Sequence, residues 1–145
     1  MHALKILLKQ LDPDIPLPSH ATSGDAGVDL YAREAGTIWP GERKLVPTGV
    51  AVAVPSGYVG LIAPRSGLAI KHGISLVNSP GILDSGYRGE IHAVMINQGD
   101  EAFEYDRGDR IAQLVVVPFA QQHFEVVEEL PESDRGEGGF GSTGS

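Results

Sequence analysis

The sequence predicts an all-β fold, a sandwich, jelly roll or small barrel built from short strands. Three observations carry that expectation. Strand-sized apolar runs recur at roughly regular spacing, turn-forming clusters separate them, and no convincing long amphipathic helix pattern is present. The 145 residues contain Gly 19 and Pro 10, more than ordinary usage, which suits a chain that turns often. That length allows one core and leaves little room for a second module.

The first strand-like run is Lys5 to Leu8. Alternation is clearest from Gly49 to Pro55, where Val50, Val52 and Val54 would share one face of a strand that Pro55 ends. Further runs cover Tyr58 to Ala63, Ile91 to Asn97, Ile111 to Pro118 and His123 to Leu130. Between runs stand Pro-Ser-Gly, Ser-Pro-Gly, Asp-Ser-Gly, Asn-Gln-Gly-Asp and Asp-Arg-Gly-Asp, which supply positive φ or side-chain caps. One short helix at most fits, starting near Ser66. After Leu130 the composition changes, so the chain divides into a β domain over 1–130 and a glycine-rich tail over 131–145 that is too poor in apolar residues to join a core.

Charge and composition exclude several classes of function. A net charge of -8 repels a phosphate backbone and argues against direct nucleic-acid binding or attachment to an acidic membrane. Without cysteine there is no disulfide, thiolate zinc site or cysteine nucleophile, which fits a reducing compartment. The opening MHALKILLKQL has too short an apolar run for a signal peptide, and nowhere do about 18 apolar residues occur together. A cytoplasmic location is the expectation. His2, His20, His72, His92 and His123 lack close metal-ligand spacing, and neither a zinc hydrolase nor a serine-triad signature occurs.

Three segments hold residues suited to phosphate chemistry. Pro64-Arg65-Ser66-Gly67 follows a strand and could offer an anion a guanidinium fork, a hydroxyl and open amides; it could equally be a turn with a capping serine. Asn78 to Tyr87 is rich in turn residues and contains one carboxylate, Asp84, which alone would read as a turn cap. In the tail, Gly136 and Gly141 have the spacing of a phosphate-binding glycine loop, but the lysine of that loop is missing. Glycine amides can still wrap a phosphate, Arg135 brings a fixed cation, and Phe140 offers a ring to stack on a base. Such a tail has the makings of a closing lid.

Taken with two more segments, these resemble the five ordered motifs of the trimeric dUTPase family. The motifs run as Ser23 to Leu30, Pro64 to Ala69, Asn78 to Glu90, Arg107 to Leu114, and Arg135 to Gly144, so the match covers nearly the whole chain. The resemblance implies a jelly-roll, or distorted β-barrel, subunit that assembles as a homotrimer. It implies three active sites between subunits, with one chain supplying the second and fourth motifs, a neighbour the third, and the third chain's tail the lid. The implied reaction is hydrolysis of dUTP to dUMP and pyrophosphate, which limits uracil incorporation into DNA and supplies dUMP for dTMP synthesis.

On the same resemblance, Asp84 is the general base for a water that attacks the α-phosphorus. Arg65, Ser66, Gly67 and Gln113 match phosphate contacts, and Arg135, Phe140, Gly141 and Ser142 match the closing tail. Asn78 and the backbone of Ile82, Leu83 and, by position, His92 would read the uracil edge, while Tyr87 would pack on deoxyribose and reject a 2′-hydroxyl. The implied cofactor is Mg²⁺, held mainly by the triphosphate and water; Asp29 would touch its shell through water or serve only as a turn carboxylate. Two rivals stand beside this reading. One is dCTP deaminase, which shares fold and trimer but lacks the Arg- and Gly-rich tail. The other is a nucleotide sensor that has lost turnover, against which the retention of Asp84 speaks.

Overall fold

A computed structural model describes residues 3–141. The all-β expectation holds: among the described residues there are eleven strands and one short helix. In chain order these are β1 (Leu7–Gln10), β2 (Val28–Tyr31), β3 (Gly36–Ile38), β4 (Arg43–Pro47), β5 (Val50–Ala53), β6 (Tyr58–Ala63), α1 (Ser66–His72), β7 (Ile74–Leu76), β8 (Gly81–Leu83), β9 (His92–Asn97), β10 (Phe103–Tyr105) and β11 (Arg110–Pro118). The strands pair antiparallel in four small sheets, ordered β1-β5, β10-β3, β2-β11-β6-β8 and β4-β9-β7.

Period-2 patterning explains which faces go inward. In β9, Ala93, Met95 and Asn97 are buried, while His92 is exposed and Val94 and Ile96 are partly covered. Val50, Val52 and Val54 all enter the core as the alternation requires, together with Leu30, Ile38, Ile74, Ile91 and Ile111. Asn97 is the polar exception inside. Its amide donates to the carbonyls of Ile38 and Glu101, both at 2.8 Å, and its oxygen accepts from the Gly99 amide at 2.9 Å, so both polar atoms of the buried side chain are paired. The helix starts at Ser66 as expected, and Gly73 ends it in the left-handed conformation, with φ 68.

One strand expectation fails. Residues His123 to Leu130 form no strand, and Phe124, Val126 and Leu130 stand almost fully exposed. Alternating apolar residues make a strand only where another strand's edge pairs with them, and among the described residues no edge does so. Six short strands, β2, β3, β4, β7, β8 and β10, escaped the sequence reading because three to five residues give alternation too little length to register.

A polar network ties the amino-terminal segment to the β2–β3, β8–β9 and β10–β11 loops. Asp12 Oδ2 pairs with Arg107 at 3.0 Å and with Arg33 at 3.5 Å, and Arg33 continues to Glu90 Oε1 at 3.0 Å. The Asp14 amide, followed by the guanidinium groups of Arg107 and Arg33, holds the Asp12 carboxyl below its ordinary value of 3.8 against a burial that pushes it up. A depressed carboxyl contributes stability above its unfolded value and loses it as pH falls through the lower, folded value. Wild type should therefore be more stable than Asp12→Asn at neutral pH. The gap, followed by thermal melts between pH 7 and 2.5, should close below pH 3.8. A gap independent of pH would rule out this role for the charge.

Candidate active site

Two cavities collect the residues singled out in the sequence. The first, about 450 Å³, lies where β2, β11 and the β6–α1 junction meet, and Asp29, Arg65, Ser66, Gly67, Arg110 and Gln113 line it. Sheet register places Gln113 opposite Asp29 on one side and Ala63 on the other, so the second and fourth motifs converge through strand pairing. The Gln113 amide donates to the Pro64 carbonyl at 2.9 Å, which fixes the turn that presents Arg65. Gly27 makes room for this arrangement, because a Cβ there would collide with the Gln113 carboxamide.

Asp29 is committed to cations. Its carboxylate meets Arg65 Nε at 3.3 Å and Arg110 at 3.8 Å. The pair holds the Arg65 guanidinium on the wall of the cavity. Ser66 opens α1, and no side chain caps that end, so the capping-serine alternative is not what the structure contains. Gly67 has open space where a side chain would be, leaving its backbone accessible.

Arg110 was missed as a site residue, for a physical reason. Simple alternation puts residues three apart on opposite faces of a strand, which would separate Arg110 from Gln113. The β11–β2 register shifts between Arg110 and Ala112, and the irregularity brings both side chains to the same cavity. Only the repeated arginine of Arg107-Gly108-Asp109-Arg110 hinted at it.

The second cavity, about 190 Å³, is formed by β8 and the loops around it, with Asn78, Ile82, Leu83, Asp84, Tyr87 and His92 on its wall. Ligand sites for whole drug-sized molecules begin near about 300 Å³, so this one suits a single ring system. β8 is pinned to β6 by the pairs Gly60↔Leu83, Leu61↔Ile82 and Ile62↔Gly81, which delivers Asp84 to the end of the strand as an exposed carboxylate. The Tyr87 amide donates to the Asp84 carbonyl at 3.1 Å, closing the turn, and the Tyr87 hydroxyl donates to the Glu90 carbonyl at 2.8 Å.

The two cavities share no lining residue. Among the described residues, those of the tail line neither of them. Arg135 Nε donates to the Gly138 carbonyl within its own turn, Phe140 is fully exposed, and Gly141 is exposed beside it. Ser142 lies outside the described residues. Among the described residues, no group of three or more His, Asp or Glu side chains could hold a metal, and no helix is long and apolar enough to cross a membrane.

Comparison with known proteins places this geometry. The deoxyuridine 5'-triphosphate nucleotidohydrolase of Streptomyces avermitilis is 52% identical over 142 residues, covering 97% of this chain and 81% of that protein. The dUTPase of Staphylococcus bacteriophage 80alpha, solved with dUPNHPP, superposes with a TM-score of 0.91 at 30% identity, covering 99% of this chain and 100% of that one. A mutant dUTPase from phage phi11 of S. aureus, solved to reveal the coordination of a structural Mg(II) ion, gives 0.81 at 26% identity, covering 87% and 98%. The dUTPase family model matches residues 13–144, which includes both cavities and all five motifs, and the chain belongs to the dUTPase family.

Proposed function

We propose that this chain hydrolyses dUTP to dUMP and pyrophosphate in a homotrimer whose sites are assembled from different subunits. The observation that carries the proposal is the separation of two complementary half-sites. One has arginines, a hydroxyl and open backbone for a triphosphate; the other has an amide, a carboxylate and an aromatic wall for a nucleoside. A nucleotide needs both at once, and a neighbouring copy is the simplest source of the missing half. The exposed apolar side chains of Phe124, Val126 and Leu130 support the same reading, since another subunit could cover them.

In the assembled site, Asn78 and the backbone of Ile82, Leu83 and His92 would meet the hydrogen-bonding edge of uracil. A tight wall there leaves no space for thymine's methyl and presents the wrong partners to cytosine's amino group. Asp84 would accept a proton from water as the water oxygen bonds to the α-phosphorus. The bond from that phosphorus to the bridging oxygen breaks in line, and pyrophosphate leaves. Arg65, Ser66, Gly67 and Gln113 would hold the phosphate oxygens, and Arg110 adds a cation that the sequence reading did not include.

The residues present do not fit a cage of protein ligands for Mg²⁺, because both oxygens of Asp29 face arginines. The ion would instead arrive with the triphosphate, neutralising charge on its oxygens, and Asp29 would reach its shell only through water. Residues 131–145 would act as a lid over a neighbour's nucleotide, separate from the β domain of 1–130. Pyrophosphate release from the four common dNTPs, dUTP and UTP, with and without Mg²⁺, tests the whole reading. Release confined to dUTP and dependent on Mg²⁺ is expected, whereas ammonia release from dCTP would select the deaminase.

Sugar choice gives a second test. The ring of Tyr87, a residue tethered at its hydroxyl and at its backbone amide, would be the wall against a 2′-hydroxyl. Tyr87→Ala should raise kcat/KM for UTP relative to dUTP, and unchanged discrimination would assign the ring another role.

A further inference from the structure

We infer that Glu90 is a positioning residue for sugar discrimination, holding through one carbonyl two of the side chains that line the nucleoside cavity. The inference rests on the proposed reading of Tyr87 as that wall. The Glu90 carbonyl accepts from the Tyr87 hydroxyl at 2.8 Å, and His92 Nδ1 lies 3.0 Å from the same oxygen. A carbonyl has no proton to give, so the second contact is a hydrogen bond when Nδ1 carries the hydrogen, and one oxygen with two lone pairs can serve both donors. Tyr87 and His92 both line the cavity that Asp84 borders.

What makes this carbonyl a fixed point is the side chain attached to it. Glu90 Oε1 accepts from Arg33 at 3.0 Å, and Oε2 accepts from the Gly49 amide at 2.8 Å, with the Glu90 side chain only 15% exposed. Arg33 is itself held by Asp12 at 3.5 Å and donates to the Leu11 carbonyl at 3.3 Å. Charge-assisted bonds of this kind are stronger than neutral ones, so the loop from Asp84 to Ile91 is anchored at Glu90 to the amino-terminal segment and the β4–β5 turn. Gly89 completes the seat. A Cβ there would stand 2.5 Å from the Tyr87 hydroxyl and 2.7 Å from Cζ, so the ring lies where only a glycine leaves space.

An aromatic wall rejects an extra hydroxyl only if it cannot swing aside. The Tyr87 ring is held at its hydroxyl by Glu90 and at its backbone by Asp84, and removing the first tether leaves it free to rotate about its side-chain bonds. Glu90 does not line the cavity and therefore acts through Tyr87.

The test measures kcat/KM for dUTP and for UTP in Glu90→Ala, Tyr87→Phe, the double variant, and Tyr87→Ala, with folding checked by thermal melts. Glu90→Ala and Tyr87→Phe should each lower the dUTP preference about three- to tenfold, the range of one lost hydrogen bond. The double variant should fall no further than the singles, because Glu90→Ala frees the carbonyl that the Tyr87 hydroxyl is tied to and Tyr87→Phe removes that hydroxyl, so both act through one tether. A folded Glu90→Ala enzyme with unchanged preference, or additive losses in the double variant, overturns the inference. If Glu90→Ala does not fold, Glu90→Gln replaces it; this change keeps the size and turns one accepting oxygen into a donor facing Arg33 or Gly49. The same fall and the same non-additivity are then required. Tyr87→Ala separates the two layers of the reading. If it leaves sugar preference intact, the wall itself is wrong; if it collapses the preference while the Glu90 variants do not, only the role of Glu90 is lost.

Discussion

Asp84→Asn is expected to abolish turnover while leaving dUTP binding largely intact. The amide has nearly the shape of the carboxylate and can still take part in the turn, whose bond from the Tyr87 amide uses the Asp84 backbone carbonyl and not its side chain. What disappears is the proton acceptor. Loss of general-base action costs on the order of 10²- to 10⁴-fold in rate, whereas a change in ground-state contacts would show mainly in KM. Single-turnover rates and equilibrium binding of dUTP would separate the two effects. Near-normal kcat in the variant would remove Asp84 from the mechanism, and the exposed position of its carboxylate at the end of β8 would then need another explanation.

Deleting residues 135 to 145 should leave the β domain folded and assembled but reduce turnover strongly. Nothing in the described part of that segment contributes to the core, and Arg135, Phe140 and Gly141 are exposed. Closure over the triphosphate would exclude water and bring Arg135 to oxygens whose charge shifts during reaction, and one such donor is worth about 10²- to 10³-fold elsewhere. That the described residues of the tail line neither cavity has a direct consequence for assembly. If each tail serves a neighbour, tail-deleted subunits with intact Asp84 and full-length Asp84→Asn subunits are two inactive parents that can rebuild a complete site only across a subunit boundary. Activity recovered on mixing is the expected result. Absence of recovery despite verified subunit exchange would favour a tail that closes on its own chain.

Local signals were enough to read much of the architecture. Val50, Val52 and Val54 declare a strand by alternation alone, Pro55 ends it, and the helix at Ser66 follows from a turn that opens an apolar run. The five motifs are contiguous stretches, so the family could be named from them before any contact was known. The strand expected over His123 to Leu130 shows the limit of the same signal, because pairing is a property of two segments and alternation describes only one.

The amino-acid sequence by itself determined the β class, the segments proposed to hold phosphate and base, and the identity of the groups with chemistry to offer. Tertiary structure decided which of them meet. Asp29 and Arg65 are 36 residues apart yet pair at 3.3 Å, because β11 joins β2, which carries Asp29, to β6, which leads into Arg65. Arg110 joins Gln113 only through a register shift that no periodicity reports. Glu90 reaches Arg33 across 57 positions and the Gly49 amide across 41. Side-chain chemistry is local and legible residue by residue, whereas register, irregularity and long-range ion pairing are set by the packing of the whole chain, where each contact is chosen together with the others.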